Sequence, residues 1–174
     1  GLFFGPNTST SNRCMMGGMV GNNSSGTTSI QYGVTRDKVL EMNTLLSDGS
    51  ESLFGSLSAK DFKEKLKGNS LESKIYNLLF SELSKPENRE EIEREFPKPG
   101  IHRRNNGYAI DAILNNEVFS DNSAPINLSK LLCGSEGTLA FTTDVTLSLD
   151  ELPPKYNMLV AAHLTRTAWS IAFG

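Results

Sequence analysis

Gly17-Gly18-Met19-Val20-Gly21-Asn22-Asn23-Ser24-Ser25-Gly26 places four glycines in ten residues, with short polar side chains and no charge. Glycine admits positive φ and lets a ligand approach main-chain N–H groups. Asn and Ser add short donors and acceptors for a ligand or for their own backbone. Such a run either lines a cofactor or forms a tight loop that binds nothing, and composition does not choose between the two. It does exclude two familiar phosphate loops. A Rossmann fingerprint needs G-x-G-x-x-G after a strand, whereas Gly17 and Gly18 are adjacent and Gly21 follows three residues later. A P-loop needs lysine directly after its second glycine. Gly21 and Gly26 have the spacing, but Thr27 stands in the lysine's place. Without that cation a β/γ-phosphate is not neutralised, so nucleotide hydrolysis is rejected.

Before the run, residues 5–13 form a polar, turn-rich loop whose hydroxyls and amides either face a ligand or simply connect. Cys14, Met15 and Met16 lead out of it, and paired methionines are more often core packing than function. After the run, Leu40, Met42, Thr44 and Leu46 alternate with Glu41, Asn43 and Leu45, which predicts a strand. Ser47-Asp48-Gly49-Ser50 carries a hairpin signal, with Glu51 to Phe54 as the returning strand. Residues 56–99 differ in character. Ser58 caps a predicted helix to Leu66, with Asp61 completing an approximate capping box. Ser70 caps a second helix with Leu71, Ile75, Leu78, Leu79 and Leu83 at helical spacing. Pro86 opens a third, charged one over Glu87 to Glu95, most simply a solvated face. This stretch reads as a helical insertion in a sheet domain.

His102-Arg103-Arg104 is either an anion contact or an exposed basic turn. A short helix is predicted over Ala109 to Leu114, a loop over 115–127, and a helix from Leu128 to Cys133 capped by Asn127. Ser135-Glu136-Gly137-Thr138 is a second glycine-containing polar turn. From it springs the cleanest strand, with Leu139, Phe141, Thr143, Val145, Leu147 and Leu149 expected on one face. Leu152-Pro153-Pro154 looks like a domain junction. A strand over 156–164 and a helix over 165–173 are expected to open a neighbouring domain. Both ends look cut, so a piece of a longer protein is expected.

The 174 residues suffice for one domain with a core, and a net charge of −3 argues against nucleic acid or an anionic membrane as partner. Hydrophobic residues make up 37% and mean hydropathy is −0.31, as in soluble globular proteins. No apolar run approaches the roughly 20 residues that span a bilayer. No basic segment precedes an apolar stretch as in a signal peptide, so a cytoplasmic location is expected. Cys14 and Cys133 lack metal-site spacing, and a disulfide between them has little support without an export signal. With only His102 and His163, no catalytic or metal constellation emerges.

Two segments together resemble a known family. One runs from Gly5-Pro6-Asn7-Thr8-Ser9-Thr10 through Met16-Gly17-Gly18-Met19-Val20-Gly21-Asn22-Asn23-Ser24-Ser25-Gly26 and Tyr32-Gly33-Val34-Thr35-Arg36-Asp37 to Ser47-Asp48-Gly49. The other is Gly134-Ser135-Glu136-Gly137-Thr138-Leu139-Ala140-Phe141 onward to Leu147. Both are similar to the FAD-linked oxidases of the vanillyl-alcohol oxidase and p-cresol methylhydroxylase (PCMH) superfamily, nearest its D-lactate dehydrogenase and glycolate oxidase branch. Arg103-Arg104 followed by Gly107-Tyr108 resembles members that carry an iron–sulfur domain further along. The sequence departs from the family pattern at Asn7-Thr8, where Asp-Pro is usual, and at Ala140, often glycine.

The resemblance implies an α+β fold, a mostly antiparallel sheet flanked by helices, as the second subdomain of a PCMH-type FAD-binding domain. That subdomain would cover residues 1–152 with the insertion at about 56–99, and 153–174 would start the substrate domain. The parent's partners would be an N-terminal FAD subdomain and a C-terminal substrate domain. The implied cofactor is non-covalent FAD. Its contacts would be Asn7, Thr8, Ser9, Thr10, Cys14, Met15, Gly17, Gly18, Gly21, Asn22, Asn23, Ser24, Ser25, Gly26, Glu136, Gly137, Leu139 and Phe141. The implied reaction of the parent is oxidation of a D-2-hydroxy acid such as lactate or glycolate, with hydride passed to flavin. No catalytic residue and no metal ligand are assigned. This piece alone is expected to bind FAD weakly and to self-associate through exposed apolar surface. The alternative reading is a non-catalytic interaction module that docks through the helical insertion.

Overall fold

Asp48-Gly49 reverses the chain as the sequence predicts. Gly49 takes φ +81°, Leu46 N–H bonds Ser50 O at 2.9 Å, and Asp48 Oδ1 accepts from Ser50 N–H at 3.0 Å. This computed structural model describes residues 1–156 except 99, 102, 103, 105 and 106. The expected basic pair His102-Arg103 therefore lies outside the described residues. So do the strand expected over 156–164, apart from Tyr156, and the helix expected over 165–173.

The described elements are, in order, β1 (Leu2–Phe3), α1 (Met16–Gly21), α2 (Ser29–Tyr32), α3 (Thr35–Lys38), β2 (Val39–Leu45), β3 (Glu51–Phe54), β4 (Ser56–Leu57), α4 (Ala59–Lys65), α5 (Leu71–Leu83), α6 (Pro86–Glu95), a 3-10 turn (Ile110–Ile113), β5 (Ile126–Asn127), α7 (Ser129–Leu132), β6 (Phe141–Leu147) and β7 (Asp150–Glu151). Every strand pairing is antiparallel, so helices plus antiparallel ladders give the α+β class expected. β2 is central, between β3 and β6. β1 pairs with β7 and β4 with β5, so the predicted loop over 115–127 ends in a short strand. Among the described residues no helix is long and apolar enough to cross a membrane.

Two expectations for the strands are corrected. The alternation puts Leu40 on one side of β2 with buried Met42, but Leu40 is 47% exposed and Val39 is buried. A register shift between Val39 and Glu41 opposite β6 is the cause, because one extra residue turns the next side chain to the other face. The long strand expected over 139–149 is shorter, Phe141–Leu147. The chain then turns out to form β7 against β1.

The helices of the insertion start where their caps predict. Ser58 Oγ accepts from Asp61 N–H at 3.2 Å, and Ser70 Oγ from Ser73 N–H at 3.1 Å. Each such cap stabilises a helix by about 1 kcal/mol. These helices are not an excursion from the sheet, however. Phe62 and Tyr76 pack with Leu46 and Phe54 of the hairpin and with Ile113, Phe119, Ile126 and Leu128 in one core. The Phe62 ring meets Tyr76 edge-on at 5.6 Å and Phe119 at 6.2 Å. A second, smaller core joins Val20, Val39, Met42 and Cys133, and it carries the candidate site.

Candidate functional site

The glycine run does not stay a loop. Its first part is helix α1, although glycine disfavours a helix by about 1 kcal/mol per residue relative to Ala. Tertiary burial overrides that propensity: Met19 and Val20 are 5% and 3% exposed. Asn23 ends the helix. It sits in the left-handed region at φ +48°, its N–H bonds Val20 O at 3.1 Å, and Ser24 N–H bonds Met19 O at 2.8 Å. That is the Schellman closure, with asparagine in the position glycine usually fills.

The Asn23 side chain is fully buried and used internally. Its Oδ1 accepts from Arg36 N–H at 2.8 Å and from the Cys133 thiol at 3.8 Å, and its Nδ2 donates to Arg104 O at 3.3 Å. Gly26 is likewise committed to packing, since a Cβ there would lie 1.5 Å from Asn7 O. This holds the 5–13 loop against Gly26–Thr28, with Asn7 N–H on Thr28 Oγ1 at 3.1 Å. Both residues thus act on the site's shape rather than by presenting a side chain to a ligand.

The second polar turn docks directly on α1. Gly134 N–H bonds Val20 O and Glu136 N–H bonds Gly21 O, each at 2.9 Å. Gly134 has φ +92°, and a Cβ on it would come within 2.6 Å of Arg36 Nη2, so only glycine fits. Glu136 takes φ +56° without being glycine, a strain of about 1–3 kcal/mol. Its carboxylate points to solvent while its backbone makes the contact.

Two open grooves flank α1 and meet at Met16. The first, of about 590 Å³, runs between α1 and β6 and is lined by Gly17, Val20, Gly21, Gly137, Phe141 and Val145, among others. The second, of about 560 Å³, is lined by Phe3, Asn7, Thr8, Cys14, Met19 and Tyr32, among others. A smaller recess gathers Asn7, Thr8, Ser9, Ser25 and Gly26. Gly18 and Met15 lie on the outer surface of α1 and its lead-in, with Met15 80% exposed. Thr10 bonds Thr8 through their hydroxyls at 3.0 Å, and exposed Asn22 donates to Ser24 Oγ at 3.0 Å. Leu139 is separated from the others: it faces an apolar groove of about 260 Å³ with Leu46, Phe54 and Leu78. The sequence reading missed Thr143, Val145 and Leu147 as groove residues. The common face expected for them with Phe141 is broken: a register shift between Asn43 and Thr44 leaves Thr143 as an extra residue, so Phe141 stands opposite Leu45 and Val145 opposite Met42, on the other face of the sheet.

The grooves suit a large, flat, mostly uncharged ring. Gly17 lines the α1–β6 groove and a Cβ on it would meet nothing within 4 Å, so the α1 backbone is bare there. Among the described residues only Asp144 brings a charge to the α1–β6 groove, and the other groove holds none. Their volumes fall in the range of small-molecule sites, about 300–1,000 Å³. The cations are set behind the groove. Burial lowers the pKa of Arg36, and that of Lys130 likewise, and it raises that of the Cys133 thiol to about 12, because a low-dielectric interior disfavours whichever form is charged. Cys133 is therefore an inert, neutral packing residue. Both cysteines are free thiols.

Comparison with known proteins accords with this geometry. Residues 1–52 match the family model described as FAD binding domain. The chain is 36% identical over 158 residues to the D-2-hydroxyglutarate dehydrogenase of Pantoea ananatis (strain AJ13355), covering 88% of this chain and 14% of that protein. It is 35% identical over 153 residues to the D-2-hydroxyglutarate dehydrogenase of Escherichia coli (strain K12), with the same coverage, 88% and 14%. Against that of Haemophilus influenzae (strain ATCC 51907 / DSM 11121 / KW20 / Rd) it is 34% identical over 162 residues, 92% of this chain and 15% of the relative. The chain thus spans only about 14–15% of the length of the curated relatives it matches. No solved structure matches it. Residues 1–52, which hold the glycine run, thus carry the sequence of an FAD binding domain, and most of the chain is similar to D-2-hydroxyglutarate dehydrogenases.

Proposed function

We propose that this chain supplies one wall of the FAD site in a flavin-dependent dehydrogenase of D-2-hydroxy acids. The observation that carries the reading is the α1–β6 groove: the bare glycines of a helix on one side, and a strand bearing Phe141, Val145 and Leu147 on the other. When bound, FAD accepts the hydride, and the protein binds and orients it. Here the α1 backbone permits close approach, Val20, Phe141, Val145 and Leu147 exclude water, and the 134–138 turn fixes one edge. Residues 1–152 then correspond to the second PCMH-type subdomain, and 153–174 to the start of the substrate domain.

The substrate class follows from the relatives, which are named for D-2-hydroxyglutarate, and that acid takes precedence over lactate or glycolate. Among the described residues no lysine or arginine lines either flanking groove, so neither groove wall described here brings a cation to the substrate carboxylates or the FAD pyrophosphate. The docking-module alternative loses support because the helical insertion shares its core with the hairpin.

The test is to purify the full-length protein and add candidate acids anaerobically. The reading predicts bound flavin that bleaches with D-2-hydroxyglutarate faster than with D-lactate or glycolate. A protein isolated without flavin and unable to take it up contradicts it.

A further inference from the structure

Two cations behind the groove, buried Arg36 and half-buried Lys130, are bonded to each other's backbone. Arg36, at the α3–β2 junction, donates from Nε to Lys130 O at 2.9 Å and from Nη2 to Cys133 O at 2.8 Å. Lys130, on α7, donates from Nζ to Arg36 O at 2.9 Å and to Val39 O at 2.7 Å. Each side chain thus satisfies carbonyls at the end of the other's one-turn helix, groups that such short helices leave without partners. The residues lie 94 positions apart in sequence.

The same knot reaches α1 and the turn opposite it. Arg36 N–H bonds Asn23 Oδ1 at 2.8 Å, and Asn23 closes α1. Val20 O, on α1, accepts from the Cys133 thiol at 3.3 Å and from Gly134 N–H at 2.9 Å. Val20 and Gly21 line one side of the groove, Gly137 and Phe141 the other. Apolar packing alone would hold these elements together without fixing their spacing. Directional bonds from a rigid guanidinium fork fix it.

We infer that Arg36 and Lys130 form a reciprocal clamp that sets the spacing of α1 from the 134–141 segment, making Arg36 a positioning residue of the flavin groove. Its functional half rests on the flavin reading above. The clamp touches no ligand; its side-chain bonds hold Lys130 and Cys133, and through Cys133 and Gly134 they reach Val20 O, while the bond to Asn23 comes from the Arg36 main chain.

The test compares Arg36→Met, Arg36→Lys and Lys130→Met with wild type in the full-length protein. Two quantities are read: hydrogen exchange on peptides spanning 133–141 and 71–83, and FAD affinity. Arg36→Met is expected to speed exchange in 133–141 about tenfold, leave 71–83 unchanged, and weaken FAD binding about tenfold. Arg36→Lys restores one of the two bonds and recovers part of both effects; Lys130→Met shifts both the same way, by less. Wild-type exchange in 133–141, or faster exchange with FAD affinity within about twofold of wild type, overturns the proposal. If Arg36→Met loses protection in 71–83 as well, it has unfolded, and the two milder variants decide by the same readings. A wild-type protein that binds no FAD sinks the flavin reading and the positioning role with it, while the exchange contrast still judges the clamp.

Discussion

Phe62 and Phe141 are both large aromatic side chains on regular elements, yet Phe62 is 1% exposed and Phe141 is 69% exposed. The helical half closes on itself. Its rings stack edge-on and tilted between α4, α5 and the 119 region, with hairpin residues as the floor. The groove half stays open. β6 presents Phe141, Val145 and Leu147 to a cleft whose other wall is a glycine helix. A hydrophobic pattern states which face gains from burial, not which group buries it. In one half this chain supplies that group, and in the other the cover is a flavin and a neighbouring subdomain, on the reading proposed.

The comparison breaks most sharply under truncation. Phe62→Ala should lower the stability of this chain by about 3–5 kcal/mol in urea unfolding. A loss below about 1 kcal/mol would show that the helical half is not the chain's core. Alkaline pH is next. With its pKa raised to about 12, Cys133 stays neutral in the fold, whereas an unfolded thiol ionises near its ordinary pKa of about 8.5. Its contribution is fully present below about pH 8.5 and is lost as pH rises toward 12, amounting to about 2 kcal/mol by pH 10. Buried Tyr76, also raised by burial, adds a loss of the same sign at higher pH. In parallel, a thiol reagent at neutral pH should label half-buried Cys14 and spare Cys133 until the chain unfolds; equal labelling of both contradicts the buried assignment.

Gly17→Ala sharpens the contrast differently. Nothing would meet its Cβ, so the helix should gain about 1 kcal/mol while FAD binding to the full-length protein weakens. Equal FAD affinity would remove Gly17 from the site. The smallest effect is expected at Phe141→Ser, less than about 0.5 kcal/mol in this chain, because the ring is already in water. Sedimentation should show weaker self-association, and an unchanged profile would mean that the open face is not what associates.

What was legible in the sequence was local. Ser58 and Ser70 bond the N–H three residues on, and Asp48-Gly49 closes a four-residue turn, so caps and hairpin read directly. Helix α1 was not legible, because its glycines oppose the conformation and the groups that impose it lie far along the chain: Cys133 and Gly134 on Val20 O. Leu40 misled because a bulge opposite β6 is invisible to a period-two pattern. In the site, Gly17, Gly21, Gly137 and Phe141 were named together through the family resemblance, and the structure does bring them to one groove. Asn23 and Gly26 looked like ligand contacts because ligand loops and helix closures ask for the same residue types. Leu139 looked continuous with Phe141 because strand alternation does not reveal where a strand begins.

The central claim is that this chain is one wall of a two-walled flavin site. The direct test is a fluorescence titration of FAD against this chain, beside the same titration of a chain extended upstream to include the preceding subdomain. The account predicts tight binding by the extended chain and weak binding by this one. Failure of both to bind FAD would contradict it.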